Sequence, residues 1–326
     1  MSGVLVTGAA GFIGSHLTQR LVEDGHRVRV FIRYNSQNSW GWLDTLPPSV
    51  VQEIEVHRGD LKDPEAVRKA VEGMEVIYHL AALISIPYSY ANPLDLVQTN
   101  VVGTANVLNA CLSSKSLTKL VHTSTSEVYG TARFTPITEE HPLQAQSPYS
   151  ASKIAADKLA ESYHKSFGLP VAIIRPFNTF GPRQSSRAVI PSLIVQALGG
   201  ETVRVGSLDP IRDFCYVADT VSGFLAVASA KESVGRVLNI GTGTGIAIGR
   251  LVQTILKMMG SKAEVVVEQS RMRPEQSEVM ELVCDASQAK TVTGWAPSVS
   301  LESGLRETID WIRKNQQRYK AGIYNF

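Results

Sequence analysis

The chain reads as an α/β protein, a doubly wound parallel sheet with a smaller C-terminal lobe, and three observations carry that reading. Short β-branched runs alternate with amphipathic stretches over residues 1–175, and parallel strands need crossovers of that kind. The length, 326 residues, exceeds the roughly 250–300 at which one hydrophobic core stops growing. A glycine-rich turn follows the first apolar run at once, at the position where such sheets bind ligands.

Strands are expected over 4–7, 28–32, 54–57, 76–80, 120–124 and 171–175, each a short apolar run bounded by polar or glycine residues. Helices are expected over 11–24, 64–71, 93–113 and 148–167, and right-handed crossovers distribute them over both faces. After residue 175 the pattern loosens, and loops such as FGPRQSSRAVIP and GSLDPIRDF separate shorter elements. Residues 1–175, with returning segments near 213–241, are therefore read as the sheet domain, and 176–326 mainly as the second lobe. A last amphipathic helix is expected over 301–315, with Leu301, Leu305, Ile309 and Ile312 on one stripe.

Composition narrows the function classes. The net charge is +2, with 44% hydrophobic and 19% charged residues, so no strong field draws nucleic acid or an anionic membrane. No apolar run approaches the roughly 18–20 residues of a membrane span, and the start MSGVLVTGAAGFIG lacks the basic region of a signal peptide. A soluble, cytoplasmic protein is expected. Cys111, Cys215 and Cys284 are far apart, which fits a reducing compartment without disulfides. The seven histidines show no HxxxH spacing, so no metal site is expected.

The first turn, Gly8-Ala9-Ala10-Gly11-Phe12-Ile13-Gly14, leads into a helix. Glycine lets the backbone approach a pyrophosphate closely, and the helix N-terminus offers N–H groups and a positive dipole end. Between a strand and a helix this is the context of a Rossmann dinucleotide site. The spacing, GxxGxxG, resembles the extended branch of the short-chain dehydrogenase/reductases. That resemblance implies an adenine contact at Asp60 and Leu61, and a small-residue wall beside the cofactor at Leu80, Ala81 and Ala82.

The second strand bears on which dinucleotide is held. NAD sites usually end it in an acid that takes the ribose 2′-hydroxyl, whereas here the run is VFIRYNS. Arg33, helped by Asn35 or Ser36, is placed to pair with a 2′-phosphate, which favours NADP. The alternative is a solvated Arg33 and an NAD site built on backbone contacts.

A Tyr-x-x-x-Lys pair, Tyr149 and Lys153, opens the helix after Pro148. Four residues apart, the two side chains share a face. Such pairs are common on helix surfaces; the glycine cradle and the Thr/Ser-rich strand end upstream give this one meaning. Tyrosine is a poor base at its ordinary pKa near ~10, and a neighbouring cation is expected to acidify it. Its role would be to take a proton from a sugar hydroxyl as hydride leaves the same carbon. The strand end HTSTSEVYG adds Thr125, placed to complete a Thr/Tyr/Lys triad, then Ser126 and Glu127. A carboxylate there has chemical use: once C4 of a hexose is a ketone, the C5 hydrogen is acidic. Glu127 can then remove it and expel the C6 hydroxyl as water.

The motifs TSTSEVYG, SPYSASK, IRPFNTFGPRQ and IRDFCYV resemble the nucleotide-sugar 4,6-dehydratases over nearly the whole chain. Ser126-Glu127, in place of Asp-Glu, is similar to the GDP-mannose type, which uses NADP. YNSQNSWGWLD and AALISIPYSY resemble the GDP-N-acetylglucosamine type. The resemblance implies a nucleotide-diphosphate sugar as substrate and Pro176 beside the cofactor. It places Asn178 at the diphosphate or sugar and Val189 near the base. Arg212 and Arg273, in nonperiodic segments, would clamp the diphosphate, and Ser85 and Tyr88 would line the hexose pocket. It also implies a homodimer through a four-helix bundle built on helices 93–113 and 148–167. Rival activities on the same scaffold are a UDP-glucuronate decarboxylase, a 4-epimerase and a 5,6-dehydratase. A non-catalytic dinucleotide sensor is the rival from another class.

Overall fold

Seven parallel strands make the main sheet of the computed structural model, which describes residues 2–320. Six of them are β1 (Gly3–Thr7), β2 (Arg27–Ile32), β3 (Ile54–Arg58), β4 (Val76–His79), β5 (Lys119–Thr123) and β6 (Val171–Pro176). The seventh, Val237–Ile240, returns to pair with β6, giving the spatial order Val237–Ile240, β6, β5, β4, β1, β2, β3. The chain steps outward from β1 in both directions, so the crevice at the C-terminal ends of β1 and β4 is the switch point where ligands bind in such sheets.

Both faces are buried, as parallel sheets require. Val4, Val6, Val121 and Ile174 look into one core with Leu17, Leu21 and Phe224. Leu5, Leu120 and Ile173, the alternate residues of the same strands, look into the other with Val107, Leu108 and Ala160. Pairs such as Val4/Leu5 thus set the two-sided burial directly in sequence. Among the described residues, no helix is long and apolar enough to cross a membrane.

The expected helix over 93–113 is continuous but changes pitch. It runs as Pro93–Leu96, a π-helical stretch Val97–Val102, and Gly103–Leu112. Asn100 lies in the π stretch and is buried. Its amide exchanges hydrogen bonds with the Leu83 backbone (2.8 and 2.9 Å) and donates to Ser152 Oγ (2.9 Å). The wider turn turns this polar side chain inward, a common use of π bulges.

The C-terminal lobe centres on strand Ile211–Tyr216, which pairs with Gly245–Ala247, Glu281–Leu282 and Asn178–Phe180. This corrects the expectation that the chain is already back at the main sheet by residue 213. Asp213 pins that strand to its own lobe, its carboxylate accepting from the backbones of Thr242, Gly243 and Cys284. The return is made by helix Val217–Ser229, which packs on β5, β6 and helix Phe12–Glu23, and by Val237–Ile240.

Candidate active site

The first turn is too tight for any side chain. Gly8 has φ +72°, and a Cβ there would lie 2.8 Å from the Ala81 nitrogen. A Cβ on Gly14 would collide with the Gly8 carbonyl. Helix Phe12–Glu23, with Phe12 and Ile13 in its first turn, starts from Gly11 without a side-chain cap, leaving its positive end for an anion. Thr7 Oγ1 ties β1 to the next crossover, bonding His79 Nδ1 (2.8 Å) and accepting from the Ala81 amide (3.1 Å). The residues here fit a dinucleotide pyrophosphate. Leu80, Ala81 and Ala82 follow β4 half-buried along this wall.

Farther out, Arg33 follows β2 with 74% of its side chain exposed and Nε 3.8 Å from Asp60 Oδ2. Lys62 approaches the same carboxylate oxygen at 3.9 Å and Asp95 at 3.5 Å. Asn35 is occupied in closing its own loop, with bonds to Gln37 and Ser39, while Ser36 is exposed. Leu61 points into the core. The hydroxyl of Tyr88, expected at the hexose pocket, donates to Asp95 Oδ2 (2.9 Å), which ties it to this charged group. Ser85 caps helix Ile86–Ala91, accepting from the Tyr88 amide.

The reaction centre is assembled where helix Pro148–Phe167 begins. Ser147 and Ser150 form a reciprocal capping box, and Pro148 sets the first turn. Tyr149 and Lys153 are 6% and 4% exposed. The Thr125 hydroxyl lies by the Tyr149 phenol, near enough to draw its pKa down, and Lys153 Nζ donates to the Thr123 carbonyl (2.7 Å). Thr125 also caps the short 3-10 turn Ser126–Tyr129 by accepting from the Glu127 amide.

Burial changes the electrostatics that the motif alone suggested. It pushes the Tyr149 phenol well above its ordinary range; the Thr125 hydroxyl opposes this, and the charges of Glu127 and Asp157 add to it. Lys153 is lowered to about 8, again by burial, with Asp157 opposing. In the protein alone, therefore, desolvation outweighs the acidifying lysine that was expected.

Glu127 lies on the tyrosine side, close enough to influence both Tyr149 and Arg212. Arg273 Nη1 stands 3.9 Å from Glu127 Oε2 and equally far from Glu278. Ser126 beside it is 2% exposed. Arg212, expected in a nonperiodic segment, sits in a strand, buried, donating to the Ile211 and Val279 carbonyls and to Glu278. Its guanidinium holds the 278–279 segment.

Pro176 ends β6, Asn178 opens the next strand and Val189 opens helix Val189–Gly199. Thr123 Oγ1, Asn178 Oδ1 and Arg273 Nη1 are buried without a hydrogen-bond partner, the state a polar ligand would relieve.

A second buried polar group lies behind the triad and was missed in the sequence. Asp157 accepts from Ser124 Oγ (2.7 Å) and from Arg175 Nη2 (3.0 Å). Arg175 donates on to Tyr129 Oη (2.9 Å), and Tyr129 to Asn239 Oδ1 (2.7 Å). The available signal was an acid one turn beyond Lys153 together with an arginine inside an apolar strand.

The family model described as GDP-mannose 4,6 dehydratase matches residues 5–308. UDP-glucuronic acid decarboxylase 1 of Xenopus tropicalis is 34% identical, over 98% of this chain and 74% of that protein. The UDP-glucose 4-epimerase of Thermotoga maritima, solved with UDP-glucose, superposes with TM-score 0.87 at 29% identity, covering 96% of this chain and 99% of that one. The dTDP-glucose 4,6-dehydratase of Streptomyces venezuelae, solved with NAD bound, gives TM-score 0.86 at 28% identity over 98% and 99%. On the match of that family model over most of its length, the chain belongs to the GDP-mannose 4,6 dehydratase family of nucleotide-sugar-modifying short-chain dehydrogenase/reductases.

Proposed function

We propose that the protein is a nucleotide-sugar 4,6-dehydratase, converting a nucleotide-diphosphate hexose or N-acetylhexosamine to its 4-keto-6-deoxy form. The observation that carries this is Glu127, its amide on Thr125, its carboxylate 3.9 Å from Arg273 and its charge felt by Tyr149. An oxidation–reduction at C4 alone needs no second carboxylate; elimination does.

Tyr149 takes the proton of the sugar 4-hydroxyl, with Thr125 holding that oxygen and Lys153 supplying positive charge beneath it. A bound nicotinamide dinucleotide would accept hydride from C4 and give it back at C6. Glu127 removes the C5 proton, the C6–O bond breaks, and the hydroxyl departs as water with that proton returned through Glu127; as hydride is given back at C6, the proton that Tyr149 took from the 4-hydroxyl is delivered to C5. Ser126 orients O6, since a serine hydroxyl is too weak an acid to protonate it.

NADP is the proposed dinucleotide. Arg33 and Lys62 supply two cations around Asp60 at the ribose end, and no acid ends β2. Arg273 and Asn178 hold the diphosphate side of the substrate, Val189 the base, and Arg212 keeps the Glu278 segment in place. The sheet domain holds the dinucleotide and the lobe after Pro176 the sugar nucleotide. Leu94, Val97, Val102, Leu112 and Phe167 are exposed on the helices around the site, and covering them supports a homodimer through a four-helix bundle.

The test is a panel of GDP-, UDP- and dTDP-hexoses, with and without an acetamido group, read by mass spectrometry. A product lighter by one water supports the reading. Loss of carbon dioxide from a hexuronate, or unchanged mass throughout, contradicts it.

A further inference from the structure

Tyr149, Lys153 and Asp157 are spaced four apart on helix Pro148–Phe167 and so lie along one face. That face meets residues 122–125 in three successive contacts. Tyr149 faces Thr125, and Lys153 Nζ donates to the Thr123 carbonyl. Asp157 Oδ2 takes the Ser124 hydroxyl, while its Oδ1 lies 3.3 Å from His122 Nε2. Asp157 is 0% exposed, a place where an unpaired carboxylate would be strongly unfavourable.

We infer that Asp157 is a positioning residue: through Ser124 and His122 it locks the register of this helix against β5 and so holds Lys153 on the Thr123 carbonyl. The inference rests on the proposed proton chemistry only for its consequence, that Tyr149 meets its substrate in line. The groups facing the Lys153–Asp157 edge can be counted element by element. Arg175 comes from β6 and His122 from β5, with His79 of β4 behind it, ring centroids 5.6 Å apart. Tyr149 and Glu127 lie on the crevice side, and Tyr129 lies beyond Arg175. Burial holds both histidines neutral, so the standing charges of this edge are Arg175 and Lys153 against Asp157. Without Asp157, two buried cations would share a pocket with no anion between them.

The test uses the full-length protein carrying isotope-labelled lysine, with the Lys153 resonance assigned by its loss in Lys153→Arg and followed through a pH titration. In the wild type its midpoint should fall near about 8. Asp157→Asn should lower that midpoint by about one unit or more. Ser124→Ala is the milder variant should Asp157→Asn not fold. It keeps the carboxylate but removes a donor dipole that screens it, and should raise the midpoint by about a few tenths of a unit. An unmoved Lys153 in a folded Asp157→Asn, or in Ser124→Ala where that variant must stand in, overturns the inference. No turnover is needed, so the outcome is separate from the proposed reaction, which full activity in Tyr149→Phe would overturn by itself.

Discussion

The two ends of the crevice are built on opposite principles. At the candidate reaction centre, Tyr149, Lys153, Asp157 and Arg175 are nearly sealed from water, and the last three have fixed partners. At the ribose end, Arg33, Asp60, Lys62 and Asp95 meet at 3.5–3.9 Å with side chains one-third to three-quarters exposed. Charges in the first region act in a poorly screened interior; those in the second are damped by solvent and salt. Under the proposed function the first is suited to proton transfer and the second to choosing between closely related dinucleotides.

That contrast can be broken by substitution, and the largest effect belongs inside. Tyr149→Phe removes the proton-transfer hydroxyl while keeping the ring, and turnover should fall about 10²–10⁴-fold with dinucleotide binding retained, as read by steady-state kinetics and cofactor titration. Next comes Arg175→Met, which strands Asp157 in the interior. Breaking one side of a buried pair costs about 3–5 kcal/mol, so a thermal or denaturant melt should show a large loss of stability. A melt close to wild type would mean that Asp157 finds its charge balance elsewhere.

Acid should sharpen the same division. His16 is lowered from its ordinary 6.5 to about 4 by burial and Arg183, and His79 and His122 are lowered by burial. Folded, these rings refuse protons that the unfolded chain accepts. Stability is therefore full above pH 6.5 and falls as pH drops from 6.5 towards 4. A melting temperature that stays flat across that window would contradict the neutral histidine layer. The smallest effect is expected at the exposed end. Arg33→Ala should weaken NADP relative to NAD by about tenfold or less, and more at low salt than at high, as measured by competitive binding. A hundredfold, salt-independent change would show a desolvated contact, unlike the one described.

Much of the sheet domain was legible because its rules are local. Alternation and crossover length locate β1 to β6, and helix Pro148–Phe167 starts and stops at residues readable in sequence, a Ser-Pro entry and Gly168 at φ +68°. The cradle was legible because glycine is there for want of space. What escaped was the matching of one element to another. Spacing puts Asp157 on the face of Lys153, but only the packed fold brings Ser124 and Arg175 to it. The Tyr88 hydroxyl is taken by Asp95, on the following helix, a pairing that no motif marks. Arg212 is drawn inside by the Val279 carbonyl, whose approach no motif encodes. The π stretch at Val97–Val102 depends on Asn100 finding Leu83 and Ser152, two partners distant in the chain.

The account depends on Glu127 acting at C5, and the most direct measurement is the partial reaction of Glu127→Gln. With the nucleotide sugar that the wild type dehydrates, the variant should still oxidise C4, seen as a rise in reduced-cofactor absorbance, and should release no dehydrated product by mass spectrometry. If Glu127→Gln forms the 4-keto-6-deoxy product at the wild-type rate, Glu127 is not the C5 base and the account fails.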